Sequence, residues 1–262
     1  MKKITIVGGG NLGAALALGM PKNGNWQVTV TGRKAARLAP LSEAGLDTTT
    51  DNEDAVRDAD WVILCVQPGQ VAGVLREMAS VLKPGQQHLI STATGVSLEA
   101  LRSHTPEGMA WVRAMPNTAS AIQESITCLS GQGLTDEQWA EVEQIFACIG
   151  ATLRIDEPMM QAATVLGASG IAFFMRYLRA MTQGGIQMGF HPGEAQAIAV
   201  QTAVGAARLI QQGGTHPEQE IDKVTTPRGC TITGLNEMEH QGLSSAVIKG
   251  LMASYEKISQ MS

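Results

Sequence analysis

The chain has 262 residues, 44% hydrophobic and 16% charged, so it has the apolar content to bury a sizeable core in one or two domains. With 19 basic against 24 acidic side chains, a net charge of −5 and no Lys/Arg run, neither nucleic acid nor an anionic membrane surface is an expected partner. Four scattered cysteines (Cys65, Cys128, Cys148, Cys230) without a C-x-x-C pair, and five scattered histidines, argue against a metal site or disulfide framework; buried free thiols in a reducing cytoplasm are expected.

In chain order, residues 3–7 (Lys-Ile-Thr-Ile-Val) read as a short buried parallel strand, residues 11–20 as an Ala/Leu-rich helix, and residues 27–31 (Gln-Val-Thr-Val-Thr) as a second strand. Together they complete one β-α-β unit. Further strands are expected near residues 47–50, 61–66, 88–92 and 110–114, separated by helical patterns such as residues 70–82. Alternating strand and helix gives an α/β doubly wound sheet. Residues 125–130 and 152–155 are expected as edge strands flanking a helix at 136–149. Beyond Asp156-Glu157-Pro158 the pattern is helical to residue 261, punctuated by Gly-Gly at 184 and 213 and His-Pro at 191 and 216. Two domains follow, 1–157 and 158–262, the second all-helical. Two uncharged stretches imitate membrane signals. Three glycines and Asn11 interrupt residues 4–20, which excludes a signal peptide reading. Residues 158–175 contain Gln161, Thr164, Gly167, Ser169 and Gly170, and read as a core helix rather than a span.

Gly8-Gly9-Gly10-Asn11-Leu12-Gly13 is G-x-G-x-x-G placed between a strand and a helix. Gly8 permits the tight turn, Gly10 lets backbone N–H groups approach a pyrophosphate, and Gly13 allows close helix packing, while the helix N-terminus opened by Asn11 and Leu12 favours negative charge. This is a Rossmann-type dinucleotide site. About 20 residues on, where an acid would hold the ribose 2′-hydroxyl of NAD, stands Thr31-Gly32-Arg33-Lys34. Arg33 and Lys34 suit a 2′-phosphate, so NADPH/NADP+ is expected over NAD(H).

Several distant segments together resemble the pyrroline-5-carboxylate reductase family. Gly8 to Gly13 is similar to its G-x-G-N-M-G/A, Ala59-Asp60 through Pro68 to its A-D-x-x-x-L-A-V-K-P, and residues 112–118 (Val-Arg-Ala-Met-Pro-Asn-Thr) to its V-R-x-M-P-N-T-P. Residues 222–232 (Asp-Lys-Val-Thr-Thr-Pro-Arg-Gly-Cys-Thr-Ile) resemble its signature D-x-V-T-S-P-G-G-T-T-I. The resemblance implies NADPH-dependent reduction of 1-pyrroline-5-carboxylate to proline, by hydride transfer to a protonated imine that needs placement more than a strong base. It puts Thr231 beside the imine nitrogen, and Thr225, Thr226, Gly229 and Cys230 around the ring carboxylate, with Ser169 as a further substrate contact. From local chemistry alone Thr231 fits a helix cap or a Ser/Thr turn as well. By the same resemblance Asn52 lies near the adenosine, Val66, Gln67 and Pro68 under the ribose and nicotinamide side, Ala93, Thr94 and Gly95 along the dinucleotide, and Met115, Pro116 and Asn117 near the nicotinamide.

The chain departs from that pattern at four places. Residues 167–173 (Gly-Ala-Ser-Gly-Ile-Ala-Phe) stand for S-G-S-G-P-A-Y, Gln67 for a lysine, Arg228 for the second signature glycine, and Cys230 for the first signature threonine. A related cyclic imine acid therefore stays open as substrate, as does a non-catalytic NADPH-binding protein. A β-hydroxyacid dehydrogenase would need a helix lysine, for which Lys223 and Lys249 are poorly placed. The helical half resembles the part of the family that interlocks subunits, which implies a homodimer or a larger ring.

Overall fold

The computed structural model describes residues 1–20 and 26–260; the last residue of the expected helical stretch, 261, lies outside the described residues. Contacts divide the chain into two compact units, Met1–Ser169 with Tyr255–Ser262, and Gly170–Ser254.

The first unit alternates strands and helices: β1 (Lys2–Val7), α1 (Asn11–Gly19), β2 (Trp26–Thr31), α2 (Ala35–Glu43), β3 (Asp47–Thr49), α3 (Asn52–Val56), β4 (Trp61–Leu64), α4 (Pro68–Met78), β5 (His88–Ser91), α5 (Leu98–Arg102), β6 (Ala110–Met115), β7 (Ser125–Gln132), α6 (Asp136–Ala147), β8 (Gly150–Arg154) and the short α7 (Met160–Ala163). The strands form one sheet in the order β3-β2-β1-β4-β5-β6-β7-β8. From β3 to β6 all pairings are parallel; β7 runs antiparallel to β6, and β8 parallel to β7. Of the two segments expected as edge strands only β8 is one, because β7 pairs with β6 on one side and with β8 on the other.

Strand order reverses between β1 and β4, so the crevice outside their carboxyl ends is a switch point open to a ligand. The pleat sends successive side chains to opposite faces. Ile4, Ile6, Trp61, Ile63, Ile90 and Val112 join Leu16 and Phe146 on one face, whereas Val7, Val62, Leu64, Leu89 and Trp111 join Leu75 and Met78 on the other. Each such fully buried side chain contributes roughly 1.5–3 kcal/mol.

The second unit holds α8 (Gly170–Gln187), α9 (Pro192–Gly213), α10 (Pro217–Val224), α11 (Cys230–His240) and most of α12 (Leu243–Ser259), whose end belongs to the first unit. His191 and His216 stand at N-cap positions with Pro192 and Pro217 in the first turn, where a missing N–H costs nothing. Gly214, in a left-handed conformation, ends α9. Gly184 and Gly185, by contrast, do not break α8. A Cβ on Gly185 would come within 2.9 Å of the Ala195 Cβ, so glycine there lets α8 and α9 approach closely. Residues 158–175 are core only in part: Met160, Thr164, Val165 and Gly170 are buried, but Phe173, Phe174 and Met175 are exposed in the single chain. The run Glu157–Gln187 is long and apolar enough by length and composition to cross a membrane, and 22% of its apolar window is buried.

Candidate active site

β1 delivers the chain into a turn that only glycine can make. Gly8 has φ 115°, and a Cβ on it would meet the Cys65 carbonyl oxygen at 2.4 Å. The amides of Gly8 and Gly9 both donate to the Thr31 carbonyl, at 3.1 and 2.8 Å, which ties the turn to the end of β2. A Cβ on Gly13 would lie 2.0 Å from the Gly8 carbonyl oxygen. Gly10 differs from these: a Cβ there meets nothing within 4 Å. Open space therefore lies over Gly10, at the N-terminus of α1, which has no side-chain cap. The first-turn N–H groups of Asn11, Leu12 and Gly13 are left to an outside acceptor. An uncapped helix start beneath vacant space fits a dinucleotide pyrophosphate.

At the end of β2, Thr31 donates to the Asn52 Oδ1 (2.5 Å), and the Asn52 amide reaches the Glu77 carboxylate (3.2 Å). Thr31 and Asn52, the latter expected near the adenosine, are thus hydrogen-bonded within the chain. Arg33 and Lys34 are exposed and make no ion pair among the described residues. Arg37, one helical turn past Arg33, is also exposed and without an ion pair among the described residues; sequence reasoning missed it, although its i, i+4 spacing from Arg33 was the available signal. Three cations then bracket the start of α2, whose first turn holds no acid.

The remaining expected cofactor residues all follow strands. Val66 and Gln67 leave β4, with Gln67 and Gln70 in a reciprocal cap and Pro68 opening α4. Beside them, burial pushes the Cys65 thiol up to about 12, partly offset by the Thr92 hydroxyl, so it is no nucleophile. Ala93, Thr94 and Gly95 (φ 77°) turn out of β5, and Met115, Pro116 and Asn117 leave β6, with the Thr94 hydroxyl 3.9 Å from the Met115 sulfur. The sheet brings these residues to its carboxyl edge together with Gly8 to Gly13. Ser169 belongs to the same unit, in a π-helical turn (Thr164–Ser169) whose Gly167 carbonyl accepts the Asn117 amide at 3.1 Å.

Thr225 to Thr231 lie in the helical unit. Thr225 ends α10 and donates to the Ile221 carbonyl (2.5 Å). The Gly229 amide donates to the Thr226 carbonyl (2.9 Å), and a Cβ on Gly229 would come within 2.4 Å of the Thr226 hydroxyl. Arg228 sits at φ 59°, a left-handed conformation unusual for a side chain with a Cβ. Gly229, not Thr231, is the N-cap of α11, and the Thr231 hydroxyl makes no hydrogen bond among the described residues. The capping role open to Thr231 in the sequence is therefore not the one it plays. Cys230 is exposed, contrary to the expectation of buried thiols throughout, because it occupies the first turn of that helix.

Comparison with known proteins adds the following. Residues 157–261 match the family model for pyrroline-5-carboxylate reductase dimerisation, and residues 3–95 that for NADP oxidoreductase, coenzyme F420-dependent. Pyrroline-5-carboxylate reductase 2 of Dictyostelium discoideum is 40% identical, over 99% of this chain and 93% of its own length. Pyrroline-5-carboxylate reductase 1 of the same organism is 42% identical over 98% of this chain, which spans about half (49%) of that protein. The solved pyrroline-5-carboxylate reductase from Coxiella burnetii is 29% identical and superposes with a TM-score of 0.94, covering 99% of this chain and 98% of the other.

Proposed function

The chain belongs to the pyrroline-5-carboxylate reductase family, and from that premise we infer that it reduces 1-pyrroline-5-carboxylate to L-proline with NADPH. The observation that carries this reading is the glycine turn at residues 8–13, with vacant space over Gly10 and an uncapped helix behind it. NADPH, when bound, supplies the hydride. Asn11, Leu12 and Gly13 hold its pyrophosphate by backbone N–H groups, and Arg33 and Lys34, joined by Arg37, select the 2′-phosphate. Thr31, Asn52, Val66, Gln67, Pro68, Ala93, Thr94, Gly95, Met115 and Pro116 form the walls along the dinucleotide.

Thr231 offers the hydroxyl that the ring nitrogen needs, since it makes no hydrogen bond among the described residues. Thr225, Thr226, Gly229 and Cys230 suit the ring carboxylate, and Ser169 is a further candidate substrate contact. No strong base is required: a protonated imine is already electrophilic, so orientation of the ring against the hydride donor carries most of the catalysis. Arg228 is the observation that favours a second reading, a ring acid with an additional anionic group, because a cation stands there on a left-handed backbone that strains a residue with a Cβ.

Residues 1–157 handle the cofactor, and residues 158–262 the substrate loop and assembly. The helical unit has few buried residues of its own: Gly170, Gly185, Ala195 and Ala199 are buried, while Phe174 is 72% and Met188 78% exposed. A second copy of the chain covers such a surface in a homodimer or larger ring in the cytoplasm. The function is tested by mixing the protein with NADPH and 1-pyrroline-5-carboxylate and quantifying proline. One proline per NADPH consumed supports the reading. NADPH binding without proline contradicts it.

A further inference from the structure

Asn117 leaves β6 at the carboxyl edge of the sheet, where its amide could reach a dinucleotide, yet each of its polar groups already has a partner in the first unit. Its backbone amide donates to the Ser125 hydroxyl (3.0 Å), and its carbonyl accepts the Ser120 hydroxyl (2.6 Å). Its Oδ1 accepts the Ala119 amide (3.0 Å) and caps a 3-10 turn (Thr118–Ile122). Its Nδ2 donates to the Gly167 carbonyl (3.1 Å), 50 residues away in the sequence.

Gly167 lies inside the π turn Thr164–Ser169, a rare and wide helical turn that is frequent at functional sites. Small side chains at 167–169 give that turn little packing of its own. From the sheet it is held by the Asn117 hydrogen bond and by Ile126 at 3.6 Å from the Cβ position of Gly167, and Ala168 packs against the cluster of Met115, Cys128 and Met160. The Ser169 hydroxyl has no hydrogen bond among the described residues and is left for a ligand.

We infer that Asn117 is a positioning residue for the substrate rather than a contact of the cofactor: its amide fixes the π turn through Gly167 and so aims residues 167–169 at the ring bound beside the nicotinamide. The inference rests on the reductase reading for its substrate, but the latch itself does not. Asn117→Asp and Asn117→Ser each keep an oxygen to cap Ala119 while removing the donor to Gly167. Three quantities test it: the KM for 1-pyrroline-5-carboxylate, the Kd for NADPH by fluorescence, and hydrogen exchange of residues 164–169 by mass spectrometry. Both variants are expected to exchange faster at 164–169 and to raise that KM about tenfold, with NADPH affinity changed by less than about twofold. Unchanged exchange, an unchanged KM in an active enzyme, or NADPH binding weakened about tenfold each overturns it. Absence of turnover by the unsubstituted protein overturns the substrate reading instead, while the exchange measurement still decides the latch.

Discussion

At the scale of single residues, Arg33 has no ion pair and the Thr231 hydroxyl no hydrogen bond among the described residues. Arg33→Asp should weaken NADPH binding about 10- to 100-fold, the worth of a charge-assisted hydrogen bond, and leave NADH binding nearly unchanged. Equal losses for the two cofactors in a titration would contradict the assignment of Arg33. Thr231→Val keeps the shape and removes a hydroxyl with no other partner. It should lower kcat on the imine at least about tenfold while NADPH affinity holds. Arg228→Gly should raise the melting temperature, because glycine adopts φ 59° without the roughly 1 kcal/mol that a Cβ costs there; a lower melting temperature would show that the arginine side chain stabilises the loop. The glycines at 8, 10 and 13 were legible in the sequence because their spacing states a backbone geometry. The hydrogen bonds of Asn117 and Asn52 were not, since their partners lie 50 and 21 residues away and no local pattern predicts them.

Among elements, the strands were legible wherever β-branched runs met flanking glycines, as in β1, β2 and β4. Misreadings came where packing overrode propensity. Gly184 and Gly185 look like a break, yet at Gly185 close approach to Ala195 offsets the cost of about 1 kcal/mol of a glycine in a helix. The π turn at Thr164–Ser169 likewise has no sequence period of its own. Gly13→Ala puts a methyl 2.0 Å from the Gly8 carbonyl, so the turn and α1 must part. Loss of NADPH binding together with a lower melting temperature is expected; binding as in the unsubstituted protein would refute the turn's role.

The opposite end of the sheet supplies a pH dependence. The His88 ring lies 4.7 Å from that of Trp61, its Nε2 is 2.6 Å from the Gln138 amide, and its Nδ1 faces the Asp60 carbonyl at 3.4 Å. Burial holds its imidazole below the usual range, more than the Asp60 carbonyl raises it; Lys2 acts with burial, and Glu141 and the Asp60 charge act against it. The folded chain thus takes up this proton at lower pH than the unfolded chain. The contribution of His88 is complete above the unfolded value of about 6.5 and is lost as pH falls from there towards the folded value. His88→Phe keeps a ring on Trp61 and should flatten the fall in melting temperature between neutral and mildly acidic buffer. An equally steep fall in the variant would assign it to other groups.

For the whole molecule, a sheet-bearing region followed by a helical one was legible from the change of texture near residue 157, where the strands end, but contacts divide the two units at Ser169 and Gly170. The return of the last helix to the first unit was not: Ser259 donates to Gln161 at 3.1 Å, a contact across 98 residues. Exposed Phe174 and Met188 predict an assembly, so light scattering should give at least twice the mass of one chain, and Phe174→Glu should shift it towards a monomer. A monomeric mass for the unsubstituted protein would contradict the interface. The most direct test of the central claim compares kcat/KM with NADPH for 1-pyrroline-5-carboxylate and for its six-membered homologue, piperideine-6-carboxylate. The account predicts a clear preference for the five-membered ring. Preference for the six-membered ring, or turnover of neither with NADPH bound, would contradict it.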